Sequence, residues 1–145
     1  MQLNTMSNMK KFFIDYIWQL PQNLLGALYK ECIIDNIITR VNYNAEDYEC
    51  YLTRNGGGIT LGRFIFVNQK FIDLEETILH EIGHTKQSKI LGPLYLIIIG
   101  LPSILWATLR RFIPILRKLD YNWLYTESWA NKLIGLNKYG KLETK

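Results

Sequence analysis

Cysteine is almost missing from this chain: Cys32 and Cys50 are the only two in 145 residues, and they do not form a C-x-x-C pair. Two such residues cannot build a zinc knuckle alone and give little basis for a disulfide framework, so both thiols read as reduced and structural. Histidine is equally scarce, with His80 and His84 alone. Charge of one sign never gathers into a block: 17 Lys and Arg face 13 Asp and Glu for a net charge of +4, with the basic residues scattered along the chain. That pattern argues against a nucleic-acid partner and leaves an anionic membrane surface open. Repeats and low-complexity tracts are missing as well, apart from Gly56-Gly57-Gly58. A chain of this length, 48% hydrophobic, reads as one domain over 1–145 and not as a disordered tail.

Lys10-Lys11 followed by an apolar stretch has the outline of a secretory signal. Asp15 interrupts the stretch, Pro21-Gln22-Asn23 follows it and no small-residue cleavage site appears, so the segment is expected to be retained. Within 1–30 an amphipathic, aromatic-rich helix puts Phe12, Phe13, Tyr16, Ile17 and Leu20 on one face. That face either packs on the core or lies at a lipid interface. Over 41–67 the residues become β-branched and aromatic, and Asn55-Gly56-Gly57-Gly58 between two such strings predicts a β-hairpin. Helical spacing returns over 74–89, with Asp73 suited to the N-cap and Glu75 and Glu76 in the first turn, where they favour the helix dipole. Residues 90–109 carry no charge, and Lys86, Lys89, Arg110 and Arg111 flank them. Pro93 and Pro102 divide the run into two apolar arms, because proline lacks the amide proton and disfavours helix in the residue before it. A further helix is predicted over 125–136.

The chemistry sits in His80-Glu81-Ile82-Gly83-His84, an H-E-x-x-H. Given this chain's composition, chance supplies such a match in roughly one case in several hundred, so the signal is specific. Residues four apart on an α-helix share a face, which lets both imidazoles reach one ion. Glu81 points to the neighbouring side, where it can take a proton from a water that zinc has brought to a pKa of about 7. Gly83 leaves room for the close approach of another backbone. A catalytic zinc needs a third protein ligand, and no third histidine exists. Asp120, Glu127 and Glu143 are the downstream carboxylates. Only Glu127 lies in a convincing helical run, and Asn131, four residues on, would share its face and orient a ligand. Tyr121 and Tyr125 are candidate donors to an oxyanion.

The H-E-x-x-H, the long apolar insert and Glu127-Ser128-Trp129-Ala130-Asn131 together resemble the gluzincin metallopeptidases, in particular the membrane-bound CAAX-prenyl and heat-shock protease group, whose ligand helix reads E-x-x-A-D. Asn131 stands where that group has aspartate, and an amide still hydrogen-bonds. The resemblance implies zinc held by His80, His84 and Glu127, with Glu81 as the catalytic base. It covers roughly the second half of the chain. The chain is also similar to short bacterial proteins that share the elements at 80–88, 91–95, 100–103 and 125–131. In zincin-like proteins an edge strand commonly lies beside the H-E-x-x-H helix. A peptide can add to such an edge through main-chain hydrogen bonds, which makes 59–67, and Ile59, Thr60, Leu61, Gly62 and Arg63 first, the candidate substrate strand.

Topology adds a constraint. If 90–109 crossed a bilayer once, His84 and Glu127 would emerge on opposite sides and could not share an ion. The run is therefore expected to be a hairpin bent near 100–103, either re-entrant in lipid or buried in the fold. Basic residues at both ends agree with a return to the cytoplasmic face. The expectation is an α+β, zincin-like fold: a small β-hairpin or sheet beside the H-E-x-x-H helix, with an apolar helical hairpin inserted. Its expected function is that of a membrane-associated zinc metallopeptidase acting on peptides or proteins. The alternative is a non-catalytic membrane-associated binding or scaffold protein with a structural zinc.

Overall fold

A computed structural model describes residues 2–42, 48–71, 73–137 and 139–142, with side chains from Ser7 onward. The fold is α+β, with five α-helices and a four-stranded mixed sheet among the described residues. Helix α1 (Gln2–Phe12) runs into a π-helical turn (Phe13–Trp18), and α2 (Leu20–Cys32) follows. The N-terminal segment is thus two helices where the periodicity predicts one. The break is local: the fully buried Gln19 turns its side chain back to donate to the Ile14 carbonyl at 3.2 Å, and Pro21, in the first turn of α2, has no amide proton to continue the ladder.

Strands β1 (Ile37–Val41), β2 (Glu49–Thr53), β3 (Ile59–Leu61) and β4 (Phe64–Asn68) form a sheet of order β1-β2-β4-β3. The hairpin expected over 41–67 is a different object in the structure, and its residues 43–47 lie outside the described residues. The strands on either side of Asn55-Gly56-Gly57-Gly58, β2 and β3, do not pair with each other, because β4 lies between them and runs parallel to β2, Cys50 opposite Ile65. The glycine segment instead carries the chain across to the edge strand β3, and the true hairpin joins β3 to β4 through Gly62-Arg63. Gly62 has φ +63°, which a two-residue turn requires, and the Asn23 side chain accepts from the Arg63 amide at 2.9 Å. The central place of β4 follows from its burial on both faces, since Ile65, Phe66 and Val67 are all inside. Ile65 and Val67 pack with Cys50 and Ile78 on the α3 side. On the other face Phe66 stacks on Tyr51 and meets Tyr29 of α2 edge-on.

Helix α3 (Leu74–Leu91) carries both histidines. Asp73 stands at its N-cap position, but the carboxylate pairs with Lys141 and makes no cap hydrogen bond. Gly92 ends α3 at φ +55°, a conformation that strains any other residue, and the Trp18 ring occupies the space a side chain would need. The chain then bends by 119° and continues from Leu96 to Phe112, first as a π turn (Leu96–Gly100) and then as α4 (Leu101–Phe112). The apolar run therefore bends at 92–95 and not at 100–103. Pro102 stays inside helical backbone because the Ile98 carbonyl, four residues before it, accepts from the Tyr125 hydroxyl at 2.5 Å. After two 3₁₀ turns comes α5 (Tyr125–Ile134), which packs along α3 and ends at the left-handed Gly135. Among the described residues no single helix is long and apolar enough to cross a membrane. Only the pair Leu74–Leu94 and Leu96–Phe112, taken together across the bend, has the length and composition of a span.

Candidate metal centre

Gly83 sets the spacing on which the site depends. A methyl group there would come within 2.4 Å of the Ala130 carbonyl oxygen, so α3 and α5 approach as closely as two backbones allow. His80 and His84, one turn apart on α3, then face Glu127 of α5 across the contact. His80 Nε2 lies 3.0 Å from Glu127 Oε2, His84 Nε2 lies 3.4 Å from it, and the two nitrogens are 3.2 Å apart. Ligands held at about 2.0–2.1 Å from a tetrahedral metal ion are separated by about 3.3 Å, so this triangle has the dimensions of three corners of such a site. His80, His84 and Glu127 are also the one group of potential metal ligands found among the described residues.

Each member of the triangle is held from behind. Asp120 can only accept, and it takes the Asn122 carboxamide N–H at 3.2 Å; Asn122 Oδ1 takes the Asn131 N–H at 2.8 Å; Asn131 Oδ1 then faces His80 Nδ1 at 2.7 Å. The direction of the chain makes Nδ1 the donor and leaves the Nε2 lone pair for the centre. His84 is fixed in the same sense. Gln87 donates to the Thr126 carbonyl at 2.8 Å, so its Oε1, 2.8 Å from His84 Nδ1, is the acceptor. The far oxygen of Glu127 accepts from Ser103 at 2.7 Å and Thr126 at 2.9 Å, which aims the near oxygen at the imidazoles. Burial opposes charge on both partners, but their mutual hydrogen bonds outweigh it. Against that burial, the Glu127 contact pushes His80 up to about 9, and the imidazoles hold Glu127 far below the carboxylate range. His80 Nε2, His84 Nε2 and Glu127 Oε2 all converge on one point. The donor set thus fits a zinc-like cation.

Glu81 lies beside this group. Its carboxylate is buried, accepts from the Thr60 hydroxyl at 2.6 Å, and is so close to the Gly58 backbone that a methyl there would meet Oε1 at 2.2 Å. Its charge contributes to the raised His80 pKa.

The other sequence candidates separate. Ile59, Thr60 and Leu61 do form the sheet's edge strand, beside α3, but the Thr60 carbonyl already accepts from Tyr95 at 3.1 Å. Gly62 and Arg63 are the hairpin turn, and Arg63 pairs with Glu49 and lies over Tyr16. The Tyr125 hydroxyl is committed to the Ile98 carbonyl. Tyr121 is raised by burial and by the Glu127 and Glu81 charges, so its phenol keeps a proton to donate. Of the carboxylates weighed against Glu127, Asp120 ends the hydrogen-bond chain and Glu143 lies outside the described residues. Sequence reasoning misses Gln87, Ser103, Thr126 and Asn122. Only Gln87 has a local signal, an amide three residues after His84 on the same helix face. No protein-family model, curated protein or solved structure matches the chain.

Proposed function

We propose that the chain is a zinc metallopeptidase of the gluzincin type, zincin-like in architecture and attached to the cytoplasmic face of a membrane. The observation that carries the chemistry is the triangle of His80, His84 and Glu127, with sides of 3.0 to 3.4 Å and every ligand fixed from behind. Zinc supplies Lewis acidity at such a site, polarising a carbonyl and lowering the pKa of water to about 7. The chain's own residues do the rest. His80, His84 and Glu127 bind the ion, while Gln87 and the Asn131-Asn122-Asp120 series orient the imidazoles. Glu81 accepts the proton of the attacking water and returns it to the leaving amine nitrogen. Tyr121 donates from its phenol to the oxygen that gains charge. The edge strand β3 aligns the peptide.

The deciding experiment compares Glu81→Gln with the wild type for zinc content and for cleavage of a peptide library. The expected result is one zinc in both and hydrolysis reduced by about 10²- to 10⁴-fold in the variant. Undiminished hydrolysis would remove Glu81 from the mechanism.

One observation favours a second reading, a structural zinc without turnover. Glu81 is 5% exposed and engaged by Thr60, and Tyr95 occupies the edge-strand acceptor. On this reading Glu127→Ala unfolds the protein, and no peptide is cut even by the zinc-loaded wild type.

A further inference from the structure

Two helical surfaces of this protein are inside out. Along the N-terminal helices the residues that recur at helical spacing and point inward are Asp15, Gln19, Gln22 and Gly26, all buried. The outward face carries Phe13, Ile17, Leu20, Leu24 and Leu28, each 50 to 58% exposed. In a helix on a water-soluble core the two faces are exchanged.

The inward face is a polar seam. Gln22 donates to the Ser88 hydroxyl at 2.9 Å and to the Gly92 carbonyl at 2.8 Å, Ser88 donates to Gln19 at 2.6 Å, and Lys89 pairs with Asp15 at 3.2 Å. The second helix repeats the arrangement. Ser103 turns inward to Glu127, while Ile97, Leu101, Ile104, Leu105 and Phe112 face outward at 54 to 75% exposure.

Polar groups satisfied internally and aliphatic groups turned out is the distribution that a hydrocarbon solvent selects. The C-terminal end of the second surface fits a lipid boundary too. Arg111 and Lys118 have no ionic partner among the described residues, and their neighbours along the chain, Phe112 and Ile115, are exposed. Basic and aromatic side chains of this kind anchor at headgroups. The segment Leu96–Phe112 spans 17 residues, about 25 Å as a helix, which is short of the roughly 30 Å of a hydrocarbon core. It suits a helix that lies in one leaflet better than one that crosses.

We propose that the protein seats in one leaflet of a bilayer through these two faces, one on the N-terminal helices and one on Leu96–Phe112, with lipid acyl chains as the partner. Arg111 and Lys118 lie at headgroup level, and the metal triad sits on the inner side of α4, behind Ser103. This inference rests on the membrane part of the proposed function and not on its chemistry.

The test is flotation of the full-length chain with phosphatidylcholine vesicles, with and without phosphatidylglycerol, in low and high salt. Vesicles with brominated acyl chains add a readout of tryptophan quenching. The wild type is expected to float with both compositions, to stay bound in high salt, and to be quenched by the bromines. Leu24→Glu with Leu28→Glu, and separately Ile104→Glu with Leu105→Glu, should each weaken vesicle partitioning at least about tenfold while the circular dichroism spectrum is kept, because all four positions are exposed.

Three results would overturn the proposal: a monodisperse soluble monomer that does not float, a dimer in detergent-free buffer that the Ile104 and Leu105 changes dissociate, or binding confined to anionic vesicles and lost in salt. Quenching of the wild type decides the matter if a variant fails to fold. Metal-stripped protein is floated alongside. Zinc without flotation defeats this inference together with the membrane attachment and leaves the zinc chemistry standing, and flotation without zinc defeats only the metallopeptidase reading.

Discussion

The Gln87 carboxamide uses both of its ends, one on His84 and one on the Thr126 carbonyl, and so ties a proposed metal ligand of α3 to the backbone of α5. Gln87→Leu removes both contacts and frees the imidazole to turn. Zinc affinity should fall about 10- to 100-fold in competition with a chromophoric chelator, and an unchanged affinity would sink the positioning role. The His80 and Glu127 pair makes the metal-free protein sensitive to pH in a stated direction. His80 is raised from 6.5 to about 9, so its contribution to stability is full below 6.5 and is lost as pH climbs through 9. Glu127 is lowered from 4.5, so its contribution is present above 4.5 and is lost as pH falls. Urea midpoints of the stripped protein should therefore peak between about pH 5 and 7 and fall on either side. Zinc must displace the His80 proton, so its affinity should tighten about tenfold per pH unit up to about 9. A pH-independent affinity would show that no proton is exchanged.

At the level of elements, the contact of α3 with α5 is the one on which the triangle depends, and it has no slack. Gly83→Ala forces the helices apart or the Ala130 carbonyl aside. Overpacking of this kind costs about 1–3 kcal/mol. The variant should lose zinc stoichiometry as well as stability, in elemental analysis beside a thermal melt; a variant that melts early but still binds one zinc would argue that the helices can re-space. Much of this contact was legible in advance. The spacing of His80 and His84, the glycine between them and the helical run around Glu127 all lie in local sequence, and so does the start of α3 at Leu74. The sheet order was not legible. Two strand-like strings separated by glycines read as a hairpin, and only the burial of both faces of β4, supplied by α2 and α3, makes the pairing parallel. The bend in the apolar run was misplaced for a similar reason. Proline content marks 100–103, but Tyr125 satisfies the carbonyl that Pro102 leaves open, while Trp18 fills the space beside Gly92. Such compensation comes from partners far along the chain, and no window around the prolines contains them.

For the whole molecule, a metal that ties α3 to α5 should act as a ligand of the folded state alone. Free zinc at a hundredfold its dissociation constant stabilises by about 2.7 kcal/mol, which for a chain of this size is a shift of roughly 5–10 °C in Tm. Stripping with EDTA should lower the melting temperature by that amount in the wild type and leave a His80→Ala, His84→Ala variant unmoved. An EDTA-insensitive wild type would mean that the triangle holds no ion in solution. The polar seam has a consequence of another kind, in the timing of synthesis. Its partners lie 66 to 74 residues apart in sequence, so Asp15, Gln19 and Gln22 leave the ribosome long before Ser88, Lys89 and Gly92 exist. At about 5–20 residues per second that interval is roughly 3–15 s. Through it the nascent N-terminal helices have amides without partners on one side and bare leucines on the other. Whatever receives the emerging chain must shelter a helix that is unfinished on both faces until its complement is translated.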